Sequence, residues 1–231
     1  MSITENVARI KAEIAQAAIA AGRKPEDIIL CAATKMNDAE AVREAISAGV
    51  DCCGENRVQE LVQKQSQNAY EGAPVHFIGH LQTNKVKQVV GKVDLIQSVD
   101  SIRLLEAIHK ESAKQGIVQD ILLEINVGQE ESKSGFAWEE VEDVLSRMGD
   151  FSAIRVLGFM AIPPICQVST ENHKFFQKMY NLSVDIMRKK YDNVCVNILS
   201  MGMSGDYADA IACGSTMIRV GTAIFGARDY A

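Results

Sequence analysis

Long apolar runs, a basic excess and proline are all scarce in this chain, and each scarcity removes a class of protein. No apolar segment approaches the ~20 residues of a membrane span. Lys and Arg number 24 against 30 Asp and Glu, a net charge of -6. That balance argues against nucleic acid or an anionic membrane as partner, since both require a basic face. Four prolines and no Ser/Gly/Pro-rich stretch leave no linker, so the 231 residues are expected to form one continuous domain, 1–231. The opening Met1-Ser2-Ile3-Thr4-Glu5 lacks the basic lead and apolar core of a signal peptide, which points to a cytoplasmic protein.

Metal-ligand spacing is missing too. The six cysteines (Cys31, Cys52, Cys53, Cys166, Cys195, Cys213) form no C-x-x-C pair, and the four histidines form no H-x-x-x-H or H-E-x-x-H cluster. Adjacent Cys52 and Cys53 would face opposite sides of a strand. The expectation is reduced cysteines packed as small core residues and no structural metal.

What the chain does have is regular alternation. Ser2 and Glu5 have capping-box spacing at the head of an amphipathic helix, whose stripe Ile3, Val7, Ile10, Ile14, Ala17 and Ala21 ends at Gly22. Strands are then predicted at 28–34, 50–54, 75–80, 94–99, 120–126, 154–161, 194–200 and 216–221. Helix-period segments fall between them, at 38–48, 56–68, 83–91, 101–115, 138–148, 171–190 and 206–213. Alternating β and α elements imply a parallel sheet. Eight strands favour a closed TIM-type (β/α)8 barrel with an extra N-terminal helix over a doubly wound sheet, and no G-x-G-x-x-G follows the first strand. In such a barrel, functional groups gather at the C-terminal strand ends. Lys35, Asn56, His80, the Ser200–Ser204 turn and the Gly221-Thr222 turn would then share one mouth.

Lys35 is the most pointed of these. It ends the apolar run Ile28-Ile29-Leu30-Cys31-Ala32-Ala33-Thr34, a place lysine normally avoids. Its ammonium either reaches water or is partly desolvated, which lowers its pKa toward an amine able to form a Schiff base with an aldehyde. Arg219 lies inside Met217-Ile218-Arg219-Val220 and points away from Ile218 and Val220. A guanidinium there must be paired, with a buried carboxylate or with a ligand's ring nitrogen. The small and hydroxyl residues of Ser200-Met201-Gly202-Met203-Ser204-Gly205 and Gly221-Thr222 are either capped turns or a phosphate cradle of backbone N–H groups. Pyridoxal phosphate requires a lysine, an anion cradle and a partner for its ring nitrogen, and all three are available.

Longer stretches carry a resemblance: Ala33-Thr34-Lys35, Gly54-Glu55-Asn56-Arg57-Val58-Gln59-Glu60, His76 to Lys85, Ser98-Val99-Asp100-Ser101, Lys133-Ser134-Gly135-Phe136, Gly158 to Pro164, and the segment from Ile198 to Gly226. With these the chain resembles, over nearly its whole length, the pyridoxal phosphate homeostasis protein family (the YggS or proline-synthase co-transcribed family). The resemblance implies an alanine-racemase-like fold-type III barrel with the cofactor pyridoxal 5'-phosphate on Lys35. It further implies Arg219 at the ring nitrogen, Asn56 near the ring, and Ser200, Ser204, Gly221 and Thr222 on the phosphate, with Met201 also among the cofactor-binding residues. Two departures, Cys53 for a common aromatic residue and Phe159 for a usual leucine, leave that chemistry untouched.

Racemases of this type resemble the chain in the barrel, but they use a second acid/base carried by a further domain. The expectation is therefore a protein that buffers and carries pyridoxal phosphate in support of vitamin B6 and amino-acid homeostasis, without robust catalysis of its own. A small single-domain racemase using His80 or Tyr207 is the alternative. A sensing protein docking through Lys85-Val86-Lys87 and Lys92 is another. Expected partners are pyridoxal phosphate and pyridoxal-phosphate-dependent apo-enzymes, with no nucleic acid and no membrane, and the expected state is a monomer.

Overall fold

The computed structural model describes residues 2–130, 134–164 and 169–226. Eight parallel strands close in sequence order into a barrel, the last pairing with the first. They are β1 (Ile29–Ala33), β2 (Cys52–Glu55), β3 (Val75–Phe77), β4 (Leu95–Val99), β5 (Gln119–Ile125), β6 (Ile154–Ala161), β7 (Val194–Ser200) and β8 (Met217–Val220). A leading helix, α1 (Ile3–Ala20), precedes the barrel. Helices α2 (Ala39–Ser47), α3 (Val58–Ser66), α4 (Ile102–Gln115), α5 (Val141–Ser146), α6 (His173–Met187), α7 (Tyr207–Ala212) and α8 (Thr222–Phe225) flank it. This is the (β/α)8 architecture that the alternation predicts.

Strand parity decides which side chains see the barrel axis. On β1, Leu30 and Ala32 pack outward with Val7 and Ile10 of α1 and Ile224 of α8. Ile29, Cys31 and Ala33 turn inward, against Leu95, Leu122, Met160 and Met217. β8 repeats the pattern, with Ile218 and Val220 outward and Met217 and Arg219 inward. α1 is started by a capping box, Glu5 N–H donating to Ser2 Oγ at 3.2 Å and Ser2 N–H to Glu5 Oε2 at 2.8 Å. Its stripe buries Val7, Ile10 and Ile14, and Asn6 Nδ2 donates to Ile224 O at 2.9 Å, fastening α1 across α8. The β6–β7 register shifts near Gly158, whose φ is +145° and whose added Cβ would lie 1.9 Å from Ile198 O. Only glycine can make that approach.

All eight predicted strands are present, with edges moved by a few residues. The second begins at Cys52 rather than 50, and the third stops at Phe77 because the chain turns at Gly79-His80. The 83–91 segment is a 3-10 helix over Thr83–Gln88, and 138–148 is a short α5 between two 3-10 turns. The four-residue α8 is too short to show a helical period. Cys31, Cys52, Cys53 and Cys213 are buried, but Cys195 is exposed, because β7 leaves alternate residues of its first half open to solvent. Cys166 lies outside the described residues. Among the described residues no helix is long and apolar enough to cross a membrane.

Candidate functional site at the barrel mouth

Lys35 continues the inward parity of Ile29, Cys31 and Ala33, just beyond the end of β1, and is half-buried. The residues on either side of it are held. Lys64 Nζ donates to Thr34 O at 2.7 Å, and Thr34 Oγ1 donates to Glu55 Oε1 at 2.5 Å. Met36 N–H donates to Glu60 Oε2 at 2.6 Å, and Met36 has φ +63°, a left-handed conformation that few side-chain-bearing residues adopt. Asn37 Nδ2 donates to Lys35 O at 3.0 Å. Behind this clamp sits a buried ion pair, Lys64 Nζ to Glu55 Oε1 at 2.6 Å, with Tyr70 OH donating to the same oxygen at 2.9 Å. Burial, then the neighbouring Glu55 charge, pushes the Tyr70 phenol far above its usual range. A lysine whose backbone is fixed on both flanks has the root of its side chain anchored at a defined place, the first requirement for a positioned amine.

Arg219 is 5% exposed and has no carboxylate within ion-pair distance among the described residues. Nη1 donates to Ser200 O at 2.8 Å and Ser200 Oγ at 2.6 Å, and Nη2 donates to Ala161 O at 3.0 Å. Its Nε–H and second Nη2–H find no acceptor among the described residues. Desolvation pulls the guanidinium below its ordinary pKa, yet it stays charged. From Arg219 a chain of donors crosses the barrel. Ser200 Oγ donates to Gln97 Oε1 at 2.7 Å, and Gln97 Nε2 donates to His76 Nδ1 at 2.9 Å. Arginine can only donate, so every later direction is set: Ser200 gives its proton to Gln97, Gln97 turns its amide N–H₂ to His76, and His76 Nδ1 must accept. The His76 proton therefore sits on Nε2.

The turns after β7, β8, β1 and β2, four consecutive strands, bring Ser200–Ser204, Gly221-Thr222, Lys35 and Asn56 to one side of the mouth. The expected residues differ in what they offer there. Met201 is fully buried in the outer core, so only its main chain faces the site. Ser204 is exposed, beside Glu13 and Gln16 of α1. Asn56 Oδ1 is buried, and among the described residues it finds no hydrogen-bond partner. Its carbonyl meets Gly79, where an added Cβ would lie 2.1 Å from Asn56 O.

Across the mouth, His80 Nδ1 lies 3.1 Å from Asp100 Oδ2, with the His80 side chain 61% exposed. Glu124 of β5 is pushed up to about 7 by burial and by the Asp100 charge. Tyr207 turns away from the mouth and hydrogen-bonds Glu13 of α1. Deeper in the barrel, Cys31, Cys52 and His76 converge. The Cys31 thiol is lowered to about 6, first by its hydrogen bond with Cys52, whose own thiol is raised. Gln97, His76 and Glu124 are functional candidates that the sequence reading passed over. Gln97 and His76 each interrupt an apolar strand, the same signal that singles out Arg219.

Residues 2–229 match the family of the alanine racemase N-terminal domain. Over 230 residues the chain is 40% identical to the pyridoxal phosphate homeostasis protein of Aquifex aeolicus (strain VF5), covering 100% of both. This chain belongs to the pyridoxal phosphate homeostasis protein family. Among solved structures, PipY of Synechococcus elongatus PCC7942 without PLP is similar with a TM-score of 0.86 at 30% identity, over 97% of this chain and 100% of that one. PipY with PLP bound gives 0.84 at 29% identity with the same coverage. The stretches that carry the likeness to the pyridoxal phosphate homeostasis protein family fall largely on the strand ends of this mouth. Lys133, in one of them, lies outside the described residues.

Proposed function

We propose that this chain binds pyridoxal 5'-phosphate at the barrel mouth and buffers and carries it, supporting vitamin B6 and amino-acid homeostasis without robust catalysis of its own. The observation that carries this is Arg219, buried, unpaired with any described carboxylate, and retaining two N–H donors on the strand beside that of Lys35. A relative at 29% identity that has been solved with PLP bound supports it.

The residues present fit the group. Lys35 offers its amine to the aldehyde, and Arg219 offers a donor to the ring nitrogen. Asn56, whose Oδ1 finds no partner among the described residues, would face the ring. Ser204, Gly221, Thr222 and the main chain at Met201 would hold the phosphate. Gly202 makes that turn possible, with φ +94° and an added Cβ 2.6 Å from Ala210 Cβ. Ser200 acts by orienting Arg219, since its hydroxyl is engaged on both sides. When bound, pyridoxal phosphate supplies an aldehyde and an electron-withdrawing ring, and an arginine at the ring nitrogen keeps that withdrawal weak.

A second reading, a small single-domain racemase, rests on Glu124, whose proton affinity near neutrality suits acid–base work. The two separate in one assay of the purified, cofactor-loaded protein. Binding and carriage predict transfer of cofactor to a pyridoxal-phosphate-dependent apo-enzyme and no steady-state racemisation of amino acids. Sustained racemisation that Glu124→Gln abolishes would establish the second reading instead. We further propose that the chain works as one barrel domain over 1–231, as a cytoplasmic monomer, with apo-enzymes as its macromolecular partners. Light scattering on the eluted protein tests the monomer.

A further inference from the structure

We propose that Cys31, Cys52 and His76 form a binding site for a thiophilic d10 cation, Zn²⁺, inside the barrel beneath the mouth. The three residues come from β1, β2 and β3, neighbouring strands whose inward positions they share. Their ligand atoms all lie within 4.8 Å of one another, and Cys52 Sγ is 3.5 Å from His76 Nδ1. Tetrahedral zinc, with Zn–S of about 2.3 Å and Zn–N of about 2.05 Å, needs S···N of ~3.6 Å and S···S of ~3.8 Å. The two neighbouring ligands are thus already at the required separation. Two thiolates and one imidazole are a soft, zinc-selecting set, and they neutralise the ion so that no net charge is added to the interior.

The surroundings favour the arrangement. Gly54 carries no side chain toward Cys31, and a Cβ there would lie 2.9 Å from Cys31 Sγ. His76 Nδ1 now accepts from Gln97 Nε2, so the ion would take that lone pair. The Gln97 amide must swing away from His76 to admit the ion, and Met217 Sδ, 3.1 Å from Nε2, is an acceptor beside its path. Binding releases the thiol protons to solvent, two at most, and involves no change of oxidation state. Sequence spacing hides the site, because each ligand lies one barrel repeat from the next.

Titration of the purified protein with Co²⁺, a spectroscopic stand-in for Zn²⁺, tests it. One equivalent is expected to give a thiolate-to-metal charge-transfer band and the red d–d bands of a tetrahedral ion, and one equivalent of Zn²⁺ should abolish both. Cys31→Ser and Cys52→Ser are expected to weaken Co²⁺ binding by more than about a hundredfold, beyond what is typical of losing an outer-shell partner. Cys195→Ser, at an exposed position, should bind as before. Cys213 lies 3.4 Å from His173 Nδ1 and offers a competing pair, so Cys213→Ser is the control for that location. Absence of a thiolate band in the unaltered protein overturns the proposal without any variant. So does a band that survives in the Cys31→Ser/Cys52→Ser double variant or disappears in Cys213→Ser.

Discussion

Replacing Lys64 by methionine should damage this protein far more than a helix-borne lysine normally warrants. Lys64 is 4% exposed, and its ammonium binds Glu55 Oε1 at 2.6 Å and Thr34 O at 2.7 Å. Glu55 is fully buried, and its second oxygen already lacks a partner among the described residues. Without Lys64, a buried carboxylate would keep only the hydroxyls of Thr34 and Tyr70. Removing one member of a buried pair typically costs about 3–5 kcal/mol, because the other charge is stranded. At about 2–4 °C per kcal/mol for a chain of this size, Tm should fall by roughly 6–20 °C. Adding Glu55→Gln removes the stranded charge, so the double variant should be more stable than Lys64→Met alone. Urea unfolding of the four proteins in the cycle measures both the cost and the coupling. A loss below about 1 kcal/mol for Lys64→Met, or additivity in the cycle, would refute the clamp as a charge-driven structure.

Other outcomes follow from the same structure. Glu124 is raised from 4.5 to about 7, so the folded state holds its proton more tightly than the unfolded chain. Stability should therefore fall as pH rises from about 4.5 to 7, by a relative amount of order 3 kcal/mol, and level off above; Glu124→Gln should lack that slope in urea unfolding followed across pH. Gly79→Ala places a Cβ 2.1 Å from Asn56 O, so the ends of β2 and β3 must separate, at a cost of about 1–3 kcal/mol in denaturant unfolding. Stripping pyridoxal phosphate from the protein should lower Tm by roughly 5–10 °C, corresponding to about 2.7 kcal/mol at a hundredfold excess over Kd, and calorimetry with added cofactor should restore it.

The fold was legible because the barrel repeats one simple pattern. Each strand is a short apolar run between helix-period segments, and closure follows from having eight of them. Arg219 was legible for a related reason: a permanent cation within Met217-Ile218-Arg219-Val220 has no ordinary place to go. Gln97 in Leu95-Ile96-Gln97-Ser98-Val99 sent a fainter version of that signal, since a neutral amide can be satisfied in many ways. Lys64 sent none. It sits in the polar run Val58-Gln59-Glu60-Leu61-Val62-Gln63-Lys64, where a lysine reads as solvent-facing, and only the path of β2 brings Glu55 beneath it. The cysteine–histidine cluster was hidden in the same way. Motif spacing detects ligands on one loop or helix, whereas these come together only when neighbouring strands are laid side by side. Segment 83–91 has an apolar period, but its backbone tightens to a 3-10 turn, a distinction that periodicity cannot make over six residues.

The most direct measurement is a visible absorption spectrum of the purified protein, followed by borohydride reduction and mass-spectrometric mapping of the modified peptide. Binding through Lys35 predicts a yellow protein, loss of the band on reduction, and a pyridoxyl group on the peptide carrying Lys35. A colourless protein that takes up no added pyridoxal phosphate, or a pyridoxyl group found only on other lysines, would contradict it.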